Sequence, residues 1–133
     1  MWGALGADVT LKGVTDAEVG TEVVGGQGSW DVAFIPLGVT LPSELVPFLS
    51  GPSAPNGVNF SGINNTDYSA DVQAAAGIAG SDGCAKWNAA ESAIFGHVDM
   101  VPFVNSTIPT FGKGVQFEFS DGSLSPQSVR MLG

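Results

Sequence analysis

The sequence predicts one α/β domain, a mixed sheet flanked by helices. Segments typical of strands occur at residues 7–14, 30–35, 100–104 and 115–119. Two helical patterns lie between the second and third of these segments, and the breaker-rich residues 80–83 separate them. Strands separated by helices favour an α/β layer arrangement. The 133 residues are enough for a single core.

The four strand segments differ in their apolar pattern. Residues 7–14 alternate apolar and polar side chains, which predicts a half-buried strand. Residues 30–35 form a nearly continuous apolar run, which predicts a strand covered on both faces and ended by Pro36. Residues 100–104 predict an apolar strand, and residues 115–119 a strictly alternating one.

The helical patterns have predicted starts and buried faces. Ser43 is expected to cap a short helix over residues 44–49, and Thr66 or Asp67 the next helix. Spacings of three and four predict two buried faces, made of Tyr68, Val72, Ala75 and Ala79 on the first long helix and of Trp87, Ala90 and Ile94 on the second. Gly96 is the predicted stop of the second helix.

Charge and cysteine content exclude several classes of protein. Four Lys and Arg against thirteen Asp and Glu give a net charge of −9. This charge argues against a nucleic-acid partner and against docking on anionic lipid, because both need clustered cations. The single cysteine, Cys84, excludes an internal disulfide and a cysteine-rich zinc site, and we expect it to pack in the core at the start of a helix.

The residue types that carry catalysis are not arranged for it. His97 is the only histidine, and no serine lies in a Gly-x-Ser-x-Gly elbow. The Gly-rich stretches lack the Lys-Ser/Thr of a phosphate-binding loop, and the spacing of a calcium loop is missing. We therefore expect a protein that is not an enzyme, with no cofactor and no metal, and a surface position for His97 after a helix end.

The chain has no apolar run of 18 residues, which predicts that it contains no membrane span. Its first residues lack the basic and apolar regions of an export signal. We expect either that the chain stays where it is made or that an export signal lies upstream.

Two loops are candidates for ligand binding. In open α/β sheets, ligands bind on loops at the carboxyl ends of strands. Asparagine offers a donor and an acceptor, and phenylalanine a flat apolar face. The alternative is that the asparagine caps a turn and the phenylalanine fills the core. The candidate residues are Leu37, Gly38, Val39, Thr40, Asn59 and Phe60.

The order of these segments resembles a transport family. The chain reads as strand 8–14, the strand WDVAFIPLG, a short helix, the loop VNFSGINN, the helices YSADVQAAAGIAG and CAKWNAAESAIF, and the strand VDMVPFVN. In the loop and the helix after it, Asn59, Ile63, Asn65 and Asp71 follow the order of an Asn-Tyr-Asn-Asp motif, with Ile63 in place of tyrosine. Over residues 5–119, this order resembles the carboxyl-terminal part of family 5 extracellular solute-binding proteins, the oligopeptide, dipeptide and nickel receptors of ABC importers.

The resemblance implies a fold, a function and partners. It implies a type II periplasmic-binding-protein-like lobe over residues 1–119, followed by a surface strand end and tail over residues 120–133. The function implied is binding of a peptide or other small solute for import, by hinge closure against a first lobe that this chain lacks. The implied partners are the solute, the ABC permease subunits and the first lobe. The full-length parent would lie outside the cytoplasmic membrane, associated with it.

The chain departs from the family at the site for the peptide's amino terminus. Peptide-binding members have a tryptophan and an aspartate in the loop after the buried strand, and these positions fall near Leu37 and Thr40 here. An uncharged or differently charged solute is therefore as compatible with the sequence as a peptide. The alternatives are a solute-sensing regulatory or interaction module of the same fold and a small secreted hydrolase. An isolated lobe would also expose an apolar face, through which the chain could self-associate.

Overall fold

The computed structural model describes residues 2–107, 109–120 and 122–133, and the chain forms two compact units. The first unit contains the residues up to Pro36 together with Pro47–Asn64. The second contains Leu37–Val46 together with the residues from Asn65 onward.

The first unit begins with short helical turns. A 3-10 helix spans Trp2–Leu5, helix α1 spans Asp16–Glu18, and a π-helical turn spans Val19–Val24. Thr15 and Glu18 cap α1 reciprocally, since each side chain accepts a hydrogen bond from the other residue's backbone N–H. The Lys12 ammonium lies 2.5 Å from the Glu22 carboxylate and ties the preceding segment to this helical region.

The predicted short helix is present, but its predicted cap is wrong. A 3-10 helix spans Pro42–Leu45 and continues into α2, Val46–Leu49. Leu41 is the N-cap residue of this 3-10 helix, and no side chain makes a capping hydrogen bond there. Pro42 occupies the first helical position, where a backbone N–H would have no acceptor within the helix. Ser43 therefore lies inside the helix and does not cap it.

Two antiparallel helices form the core of the second unit. Helix α3 spans Thr66–Ala76, a 3-10 helix spans Gly80–Gly83, and α4 spans Cys84–Gly96. The two long helices pack together, and four of the seven predicted face residues are buried: Tyr68, Ala75, Ala90 and Ile94. The other three are less buried: Val72 and Trp87 are half-buried, and Ala79 is exposed beyond the end of α3.

The helix start and the cysteine need correction. The cap of α3 is Asn65, which lies one residue before the predicted candidates, because its side chain accepts a hydrogen bond from the Tyr68 N–H. Cys84 begins α4 as predicted, but its side chain is exposed and does not pack in the core.

The end of α4 is a Schellman motif with an unusual residue in it. The Asp99 N–H donates to the Ile94 carbonyl and the Val98 N–H to the Phe95 carbonyl, both at 3.1 Å. The left-handed position of the motif is occupied by Val98, with φ of 60°. Helix α4 ends at Gly96, as predicted, but the left-handed residue of the motif is Val98, two positions later, and not the glycine. His97 is exposed at the helix end, as predicted.

The strands of the described residues form two small antiparallel sheets. Strand β1 (Val115–Gln116) pairs with β4 (Arg130–Met131), and β2 (Phe119–Ser120) pairs with β3 (Ser123–Leu124). The segment predicted as a tail thus supplies β3 and β4. A 3-10 helix at Pro126–Ser128 connects these last two strands.

Three of the predicted strands are not formed. Residues 7–14, 30–35 and 100–104 carry no strand, and the run at 30–35 is not covered on both faces, since Phe34 is 73% exposed. Apolar pattern fixes how side chains would be distributed on a strand, whereas a strand also needs a neighbour for its backbone N–H and C=O groups. Among the described residues, the sheets pair only β1 with β4 and β2 with β3. The mixed sheet and the periplasmic-binding-protein-like lobe stay a prediction.

Candidate functional site

Asn59 organises the loop over residues 51–63 in the first unit. Its side chain is 1% exposed, and its Nδ2 donates to the carbonyl oxygens of Gly51 and Ile63, each at 2.9 Å. The Ile63 N–H donates to Asn59 Oδ1 at 3.0 Å. Both Nδ2 protons and one Oδ1 acceptor site are used, so one amide holds the two ends of the loop together. In the described chain Asn59 has a structural role, and its contact with a solute stays a prediction.

Backbone contacts make the same loop tight. The Ser53 hydroxyl donates to the Asn59 carbonyl at 2.8 Å, and the Asn59 N–H donates to the Pro52 carbonyl at 3.3 Å. A Cβ added at Gly57 would clash with the Pro52 carbonyl oxygen, so this position has no room for a side chain. The loop therefore presents its remaining side chains from a defined backbone.

Phe60 forms an aromatic cluster with Trp30 and Phe48 in the first unit. Its ring centroid lies 6.4 Å from that of Trp30 and 6.1 Å from that of Phe48, with interplanar angles of 52° and 54°. These tilted arrangements bring ring edges toward ring faces, the geometry that the ring quadrupoles favour. All three residues are half-buried and not fully enclosed.

The other predicted loop, Leu37 to Thr40, belongs to the second unit. Leu37 and Val39 are exposed, and the Thr40 N–H donates to the Glu44 carboxylate at 2.8 Å. A carboxylate therefore lies at this loop, although none occurs within it. Glu44 lies four residues after Thr40, in the following 3-10 helix, and its side chain reaches back to the Thr40 N–H.

The structure thus brings together only part of the predicted site. Asn59 and Phe60 lie side by side in the first unit, while Leu37, Gly38, Val39 and Thr40 lie in the second. Sequence reasoning missed Trp30, Phe48 and Glu44 as neighbours of these positions. The two aromatic residues lie far from Phe60 in sequence and share no period with it, so no sequence signal connects them. The spacing of Glu44 from Thr40 was readable as a local cap.

Two pKa shifts lie outside these loops. Hydrogen bonds from the Thr15 backbone and hydroxyl lower the pKa of the Glu18 carboxyl, and Lys12 adds to the effect. Burial raises the pKa of the Tyr68 phenol. Both shifts have local causes within the unit that contains the group.

The described part of the chain contains neither a metal-ligand cluster nor a membrane-spanning helix. No group of three or more His, Cys, Asp or Glu side chains there could hold a metal ion. No helix there has the length and apolar character needed to cross a bilayer.

Comparison with known proteins gives no relative. No protein-family model, no curated protein and no solved structure matches this chain. The resemblance to solute-binding proteins therefore depends on the order of its sequence motifs alone.

Proposed function

We propose that this chain is a non-catalytic solute-binding module, the carboxyl-terminal part of a receptor of the ABC-importer type. The observation that carries the proposal is the aromatic cluster, in which Phe60 lies between Trp30 and Phe48 on a loop braced by Asn59. Half-buried rings on a defined backbone are a common way to bind a ligand with a flat or apolar face.

The surroundings of the cluster favour an uncharged solute. The chain has a net charge of −9, which disfavours anions. The cluster itself consists of aromatic rings, so it supplies no carboxylate to pair with a ligand's ammonium group. An uncharged small molecule or a peptide held through its side chains and backbone fits both features.

The proposal includes partners that the chain itself does not contain. A first lobe would complete the cleft, and ligand contacts to both lobes would favour the closed state. The closed receptor would deliver its solute to permease subunits at the outer face of the cytoplasmic membrane. Without the first lobe, affinity should be weak.

The test uses Trp30 as a reporter of binding. Trp2→Phe and Trp87→Phe leave Trp30 as the only indole, since the chain has three tryptophans. Short peptides and neutral sugars are screened by thermal shift, and binders are titrated by Trp30 fluorescence. We expect a binder whose affinity falls about tenfold in Phe60→Leu, which keeps apolar volume but removes the flat ring.

The matched control is Phe111→Leu, which makes the same change in the second unit at a side chain that is 90% exposed. It should leave affinity unchanged. The proposal is wrong if no solute perturbs Trp30, or if Phe60→Leu and Phe111→Leu affect binding equally. Far-UV circular dichroism of each variant checks that the fold is retained.

A further inference from the structure

Residues 7–14 form an exposed segment in which the backbone of residues 8–14 has no backbone hydrogen-bond partner among the described residues. Every residue in it is exposed, and none belongs to a helix, turn or strand. Among the described residues, no backbone–backbone hydrogen bond involves residues 8–14. The side chains nevertheless alternate as on a strand, so the segment has the pattern of a sheet edge without a sheet.

One row of this pattern adjoins an apolar depression. Val9 and Leu11, together with Trp2 and Gly3, line an open hollow of about 440 Å³. Leu11 is 91% exposed and Trp2 50% exposed. An edge with unpaired backbone groups and a neighbouring apolar hollow is the arrangement that strand addition uses, in which backbone bonds give affinity and alternate side chains give specificity.

We propose that a second copy of this chain pairs with residues 7–13 of this segment, antiparallel and centred on Thr10. In this register residue n of one copy lies opposite residue 20 − n of the other. Thr10 then faces Thr10, and Val9 faces Leu11 in both directions. The interface is isologous, because the same segment serves on both copies of a two-fold pair.

Charge complementarity selects this register and this occupant. Centring on Thr10 puts Asp8 of each copy opposite Lys12 of the other, which gives two cross-strand ion pairs on the face of Thr10. Lysine on an edge strand ordinarily discourages pairing, but here an aspartate at the matching position answers it. Lys12 also contacts Glu22, and its side chain is 64% exposed, so its ammonium group can pair with a second carboxylate.

Net charge opposes this association but does not prevent it. Each copy carries −9, so long-range repulsion is present at low salt. At about 150 mM salt the Debye length is about 8 Å, which screens distant charges more than the paired ones. The association is independent of solute binding, since the segment and the aromatic cluster share no residue.

A charge swap tests the register. All variants carry Glu22→Gln, which removes the intramolecular partner of Lys12 and leaves the proposed ion pairs intact. Sedimentation at about 150 mM salt is expected to show a dimer for Glu22→Gln alone. Asp8→Lys should weaken it by about tenfold to thirtyfold, because two attractive pairs become repulsive. Adding Lys12→Asp to Asp8→Lys should restore the dimer.

Cysteine crosslinking tests the centre of the pair in a Cys84→Ser background, which removes the exposed native thiol. Two Thr10→Cys residues would face each other at a separation that a disulfide spans. Two Ala7→Cys residues would lie about 20 Å apart, six residues out of register, and serve as the matched control. Thr10→Cys should crosslink into a dimer much faster than Ala7→Cys.

Each result decides the proposal. A dimer that Asp8→Lys weakens, that the double swap restores and that Thr10→Cys traps selectively supports it. A chain that stays monomeric in the sedimentation test at about 100 µM overturns it, because the dimer would then have a Kd weaker than about 100 µM. So does a dimer that the charge swap leaves unchanged or does not restore, or equal crosslinking of the two cysteine variants.

Discussion

Replacing Val98 by glycine tests the unusual end of α4. Val98 occupies the left-handed position of the Schellman motif with φ of 60°, and its side chain is 70% exposed. The left-handed conformation costs an L-residue roughly 1–2 kcal/mol. Glycine avoids this cost but loses about 0.5–1 kcal/mol more backbone entropy on folding. Because an exposed side chain contributes little burial, we expect Val98→Gly to raise the free energy of unfolding by about 1 kcal/mol.

Urea unfolding followed by tryptophan fluorescence measures this change. Trp87 lies half-buried on α4, so its emission reports on the helix that the motif ends. With a slope of about 2 kcal/mol per molar urea, a gain of about 1 kcal/mol moves the midpoint up by about 0.5 M. Trp2→Phe and Trp30→Phe isolate the signal of Trp87.

Val98→Ala is the matched control, because alanine shortens the side chain but keeps a Cβ in the left-handed region. It should leave most of the strain in place and stay within about 0.5 kcal/mol of the parent. If glycine and alanine shift the midpoint equally, or if glycine lowers it, backbone strain at Val98 is not what limits the stability of this helix end.

Three further changes test other parts of the scaffold. Asn65→Ala should lower the free energy of unfolding by about 2 kcal/mol in urea titration, because it removes a helix cap and an interhelical hydrogen bond; a loss under about 0.5 kcal/mol contradicts this. Gly57→Ala should cost about 1–3 kcal/mol and speed proteolysis of its loop, since the new Cβ meets the Pro52 carbonyl; unchanged cleavage contradicts it. NMR titration should give Glu18 a pKa below its ordinary value, and Thr15→Ala should raise it only part of the way back, because alanine removes the hydroxyl donor but keeps the backbone N–H donor. Because the pKa of Glu18 is lowered in the folded state, the cap stabilises α1 above the ordinary glutamate pKa, and this stabilisation is lost as the pH falls through the folded-state pKa. An identical Glu18 pKa in Thr15→Ala would contradict the role of the Thr15 hydroxyl in lowering it.

Local helix signals predict the two long helices of the second unit well. The spacing of Tyr68 and Ala75 on one helix and of Ala90 and Ile94 on the other identifies the faces that pack together, because helix periodicity and burial act over a few residues. The exact ends were less predictable. Asn65 caps α3 through a side chain that also reaches α4, and that long-range contact has no local signature.

Strand signals fail where the partner is not determined locally. Residues 30–35 have the composition of a buried strand, yet burial and pairing depend on which other segment lies alongside. The candidate site divides in the same way. Asn59 and Phe60 were identified from residue type and loop position, whereas Trp30 joins Phe60 only through the folding of the first unit.

Asn65 has a consequence for how the helical hairpin opens. Its Oδ1 accepts from the first turn of α3, while its Nδ2 donates to the Ala93 carbonyl at 3.2 Å and to the Asp99 carboxylate at 2.8 Å. One side chain therefore fastens the start of one helix to the end of the other. Fraying at either place breaks the same amide's hydrogen bonds, so the Tyr68 and Asp99 amide protons should exchange with solvent through a common opening, although 30 positions separate them in the chain.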